Sequence, residues 1–207
     1  MIYTTLNRIR EHFPRAEGWK KLLTHIGKTQ ADDEPLSFVT ILDINGLDDA
    51  LWCCRAEPEQ SSMWRHFAVD CAESVRHLMK DQRSLDALDV ARLHANGQAT
   101  DEELVAAWAA TWDVTKAEAT RGAAWNAAWD AAWDAARGAA WGAAWGAADL
   151  AANAAANAAA WDVTKAEATR GAARGAAWDA MAQRFRYLVT VGVWSPVEAA
   201  QQKGGAA

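Results

Sequence analysis

The sequence has few of the features that carry chemistry. It holds three cysteines, Cys53, Cys54 and Cys71, an odd number with two adjacent. That pattern suits free thiols in a reducing compartment and excludes a disulfide framework. There is no C-x-x-C or H-x₃-H spacing, so Cys53, Cys54, Cys71, His66 and His77 read as structural residues and not as a metal site. No Gly-rich phosphate loop, Ser-His-Asp arrangement or Glu-x-x-His pair stands out. No stretch alternates apolar and polar residues for long enough to announce a sheet. Phe and Tyr are scarce at four and two, against thirteen Trp.

Positive charge is also in deficit. The net charge is −6, and residues 101–190 hold eight Lys/Arg against eleven Asp/Glu. A global electrostatic footprint for nucleic acid or an anionic membrane is therefore missing. The first residues, MIYTTLNRIREHF, contain no apolar run of signal-peptide length. Residues 138–161 carry Asp149 as their one charge, but they are built of Ala, Gly and Asn, and Asn153 and Asn157 argue against a membrane span. The chain is expected to be cytoplasmic, without cofactor or metal.

What remains is helix. Residues 1–97 read as a head of short helices with tight stops. Thr4 or Thr5 caps a first helix ending before Pro14, and residues 18–26 form a second, stopped by Gly27. Pro35 suits the first turn of a third, closed by Asn45-Gly46. Residues 47–56 form a fourth, with Asp48 and Asp49 in its first turn. Ser61 or Ser62 caps a longer helix to about Met79, and residues 84–94 make another, closed by Asn96-Gly97. Asp48 and Asp49 could be an acid/base pair; as structural residues they are expected to ion-pair with Arg76 or Arg83.

Thr100-Asp101-Glu102-Glu103 is a capping box that opens an Ala-rich extension over 98–190, followed by a tail, 191–207, expected to be flexible. The thirteen residues WDVTKAEATRGAA occur twice, at 112–124 and 161–173. Trp also recurs on a four-residue beat at 125, 129, 133, 141, 145 and 161. Four residues turn a helix about 400°, so the stripe drifts about 40° per beat and circles the helix once in about nine beats. A single neighbouring helix cannot cover such a stripe. The extension is expected to fold back on itself and not to run as one helix of about 130 Å. The fold class is all-α: a compact bundle of short helices followed by long Ala/Trp-rich helices arranged as hairpins.

Residues 46–108 resemble a group of phage and bacterial immunity proteins built of helices with long Ala-rich tails. The matching features are Leu47-Asp48-Asp49-Ala50-Leu51-Trp52, the helix around 71–78, residues 81–91, and the stop and start Asn96-Gly97…Thr100-Asp101-Glu102. The resemblance implies a non-catalytic protein that neutralises a toxin or a rival system by binding it. Candidate ligand or partner contacts are Trp125, Trp129, Trp133, Arg137, Trp141, Trp145 and Arg174, as core packing first and as ligand contacts second. Two other readings remain open at this point: capture of a small nucleotide signal in Trp/Arg-lined crevices, and a purely structural oligomerisation or spacer role. A protein partner or a nucleotide fits these readings; nucleic acid is not expected, nor is a membrane. Gly138, Gly142 and Gly146 at spacing four would let a second backbone approach, so a homo-oligomer is expected. Light scattering of the intact chain at tens of micromolar checks this; a monomer would mean that the stripe is covered within the chain.

Overall fold

A computed structural model describes residues 1–112, 152 and 163–192. Among them the protein is all-α, with β1 (Tyr3–Thr4) and β2 (Leu36–Ser37) paired antiparallel as its only sheet. Two residues per strand are too few to show a period-two pattern, so no sequence signal announces them. The helices are α1 (Leu6–Glu11), α2 (Ala16–His25), α3 (Phe38–Asn45), α4 (Leu47–Cys53), α5 (Ser61–Ser74), α6 (Gln82–Ala95), α7 (Asp101–Trp112) and α8 (Val163–Val191). No helix of the described residues is long and apolar enough to cross a membrane.

Starts and stops follow local chemistry. The Thr5 hydroxyl accepts from the Arg8 amide, and the Asp81 carboxylate from the Arg83 amide. The capping box closes reciprocally, Glu103 N–H to Thr100 Oγ1 at 3.2 Å and Thr100 N–H to Glu103 Oε2 at 2.8 Å. Gly46 joins α3 to α4 with φ +88, a left-handed backbone that a side chain would strain.

Three boundaries differ from the sequence reading. Pro35 precedes β2 instead of opening α3, whose cap is Ser37, accepting from the Thr40 amide at 3.0 Å. Neither Ser61 nor Ser62 caps α5; the 3₁₀ turn Pro58–Gln60 runs straight into it. And α5 ends at Ser74, whose hydroxyl donates to the Cys71 carbonyl at 2.6 Å, before a 3₁₀ turn over Arg76–Leu78. A side-chain bond of that kind competes with the helical ladder.

The core lies where α3, α4, α5 and α8 meet. Phe38, Trp64, Phe67 and Phe185 form its centre: Phe185 stacks on Trp64 at 6.0 Å and meets Phe67 edge-on at 5.4 Å, while Phe38 lies 5.4 Å from Trp64. The Trp64 indole N–H donates to the Glu57 carbonyl at 3.2 Å, so its burial leaves no orphan donor. Cys53, Cys54 and Cys71 are buried free thiols, pushed up in pKa by burial.

The head therefore includes part of what the sequence assigned to the extension. Met181, Phe185, Leu188 and Val189, at spacings of three and four on one face of α8, are all buried in the head core. Arg184 reaches Asp70 on α5 at 3.1 Å, Arg186 pairs with Asp43 on α3, and the Ile2 amide donates to the Val189 carbonyl at 2.7 Å. Leu104 of α7 belongs to the same core. Leu104 of α7 and Phe185 of α8 thus share one core, 81 positions apart in the chain. Replacing Phe185 by Ala is expected to cost about 3–5 kcal/mol in denaturant unfolding, as for a central aromatic. An effect below about 1 kcal/mol would show that α8 is not part of the cooperative head.

Candidate functional site

The site begins with how α1 ends. The chain must turn from α1 into α2 across His12-Phe13-Pro14-Arg15, and the turn is closed by the Phe13 amide donating to the Arg10 carbonyl at 3.0 Å. The residue that closes it adopts φ +56, and Phe13 is the one non-glycine residue with positive φ among the described residues. Glycine or asparagine is the usual occupant of such a position. An L side chain there costs about 1–2 kcal/mol, and a following proline disfavours compact backbone further. The phenyl ring gains no burial in return: Phe13 is 90% exposed.

The next residues, Pro14 and Arg15, help line a cleft between α2, α3 and α4, together with Trp19, Asn45, Asp49 and Trp52, with a cavity volume of about 20 Å³. That is room for about one water molecule, not for a nucleotide. Its polar floor is well ordered. The Asn45 amide donates to the Gly18 carbonyl at 2.8 Å and to Asp49 Oδ2 at 2.7 Å, tying α2 to the α3–α4 joint. Gly18 leaves room for this brace: a Cβ there would lie 2.3 Å from Asp49 Oδ2 and push the Asp49 and Asn45 side chains aside. Trp52 carries the Arg55 guanidinium over its ring at 4.1 Å, and Arg55 Nε donates to the Trp52 carbonyl at 2.8 Å. Cys53 also lines the cleft, but burial, with Asp49 adding to it, keeps its thiol protonated and so a poor nucleophile.

The sequence-derived candidates fall elsewhere. Trp125, Trp129, Trp133, Arg137, Trp141 and Trp145 lie outside the described residues, as do Gly138, Gly142 and Gly146. Arg174 is on an exposed side of α8. Asp48 and Asp49 do open α4, and Asp49 works as an acceptor for Asn45. The expected ion pair to Arg76 or Arg83 is corrected: Arg76 grips Asp89 with both nitrogens at 2.7 and 2.9 Å and reaches Glu73 at 3.3 Å, while Arg83 pairs with Asp81 at 3.3 Å. The turn after α5 faces α6, so Asp89 of α6, its cap Asp81 and Glu73 of α5 take these arginines instead of the carboxylates of α4. A wide, shallow depression lined by Glu73, Arg76, His77 and Leu85 accompanies these pairs. Among the described residues no group of three or more His, Cys, Asp or Glu is placed to hold a metal.

No family model, curated protein or solved structure matches the chain.

Phe13 and the Trp19–Trp52 cleft were not singled out by sequence, where Phe13-Pro14 reads as an ordinary helix stop. Replacing Phe13 by Gly removes the left-handed penalty without opening a cavity. It is expected to raise stability by about 1 kcal/mol, and the thermal midpoint by about 2–4 °C. A fall of that size in a melting experiment would mean that the ring packs against the chain in solution.

Proposed function

We propose that this chain is a non-catalytic binding protein that sequesters or inhibits a macromolecular partner in conflict between phage and host, and that it meets the partner through the α1–α2 corner. The observation that supports this reading is Phe13. A large aromatic side chain is held almost wholly in water, on a backbone conformation that works against it, one residue before the segment that lines the Trp19–Trp52 cleft. Strain of this kind clusters at ligand-binding and switch regions. Exposed aromatics next to a ready cleft are the residues that dominate protein interfaces.

The resemblance of residues 46–108 to immunity proteins supplies the biological setting and fits a partner-neutralising role. The nucleotide-capture reading rests on Trp125, Trp129, Trp133, Arg137, Trp141 and Trp145, which lie outside the described residues; the cleft at this corner is too small for a nucleotide.

Affinity capture from the native or infected host, read by mass spectrometry, tests the proposal when intact wild-type protein is run beside its Phe13→Gly form. A macromolecule enriched on the wild type and reduced at least about tenfold on the variant supports it, that loss corresponding to about 1.4 kcal/mol. Equal recovery on both proteins would remove the corner from the interface. Recovery of a small nucleotide as the sole ligand would sink the reading altogether.

A further inference from the structure

We infer that the partner at this corner is a protein presenting an acidic surface around an apolar recess. This rests on the corner being a binding site, and it names the partner's chemistry. The first observation is how charge is distributed. Residues 1–28 hold six Lys/Arg against two Glu, a surplus of four in a chain of net −6, which leaves an excess of ten negative charges over residues 29–207. An acidic chain thus opens on a basic stretch, while α8 carries a surplus of three, five Lys/Arg against two Asp/Glu.

The second observation is which of those cations are already engaged. Arg8 is bound to Glu57 at 3.0 Å and to Glu59 at 2.9 Å, and Lys28 to Asp32 and Glu34 at 2.5 and 2.6 Å. Arg10, Arg15, Lys20 and Lys21 are exposed, and none has a carboxylate partner among the described residues. Elsewhere Arg76, Arg83, Arg92, Arg184 and Arg186 are each paired. Arg10 and Arg15 bracket Phe13 along the chain, and Lys20 and Lys21 lie in the next turn and a half of α2, within about 10 Å along the helix axis. Four exposed cations without a described carboxylate partner therefore lie within eight positions of Phe13 in the chain.

A nucleic acid strand is the other polyanion to weigh. Such a strand needs a continuous basic track and, when single-stranded, several aromatic platforms. Here Glu11 and Glu17 interrupt the cations, so no continuous basic track forms. A folded protein offers carboxylates at discrete points and a recess for one phenyl ring, which matches both features. The cations would steer the encounter and fix its orientation, while Phe13 supplies the buried anchor.

The test uses the intact chain and three fluorescent probes: a 16-residue Glu/Asp peptide containing two Leu, the same peptide with Lys in place of every acid, and a 16-nucleotide oligo-dT. Binding is followed by anisotropy. The acidic peptide is expected to bind, with affinity falling about tenfold between low and physiological salt. A Lys20→Glu/Lys21→Glu form, altered on the exposed face of α2, is expected to lose at least about tenfold, and Phe13→Gly a similar factor. Tighter binding of oligo-dT, equal binding of the basic peptide, or no binding of the acidic one would overturn the assignment. Failure here is distinct from failure of the corner itself: a captured partner lost on Phe13→Gly but untouched by the charge reversal leaves the site standing and its partner non-acidic.

Discussion

The packing of Phe185 against Trp64, Phe38 and Phe67 is the contact on which the rest of the head depends. These rings come from three helices that do not follow one another in sequence, and α8 reaches them last. Without Phe185 the faces of α3 and α5 would be left open, since the short helices around them bury modest areas of their own. The ion pairs Arg184–Asp70 and Arg186–Asp43 flank this contact near the surface. At such exposure they contribute orientation more than stability. The short β1–β2 ladder sits on the same seam: Ile2 bonds both to Val189 of α8 and to Phe38 at the start of α3.

How much of this was legible in the sequence depends on how local the cause was. Where a side-chain oxygen precedes an apolar stripe, as at Thr5 and Thr100, the helix start could be read directly, because the bond that makes the cap spans three residues. The all-α class followed from the same local signals. The end of α5 was not legible, since nothing in the composition distinguishes Ser74 from any other exposed serine until its hydroxyl is seen on the Cys71 carbonyl. The larger miss was α8. Averaged over an Ala-rich stretch, Met181, Phe185, Leu188 and Val189 look like the fading end of an extension. Taken alone, their spacing is that of a helix with one buried face.

The corner at Phe13 was half legible. The charge surplus of residues 1–28 can be counted from the sequence, but the whole-chain value of −6 conceals it. The left-handed backbone at Phe13 has no sequence signature, because a glycine is what such a turn normally advertises. Asp49 was noticed as a first-turn carboxylate. Its role as a brace for Asn45 and Gly18 depends on α2 crossing the α3–α4 joint, a contact between residues 27 and more positions apart.

The hydrogen bond from Ile2 to Val189 has a consequence for the order in which the protein is made. It joins Ile2 to a residue 187 positions later in the chain. Residues 1–112 emerge first, with the aromatic seat for Phe185 assembled from α3 and α5 but unfilled. At about 5–20 residues per second, the stretch from Leu104 to Val189 takes roughly 4–17 s to appear. Throughout that interval the nascent head carries an open aromatic socket, and the chain that closes it has not yet been translated.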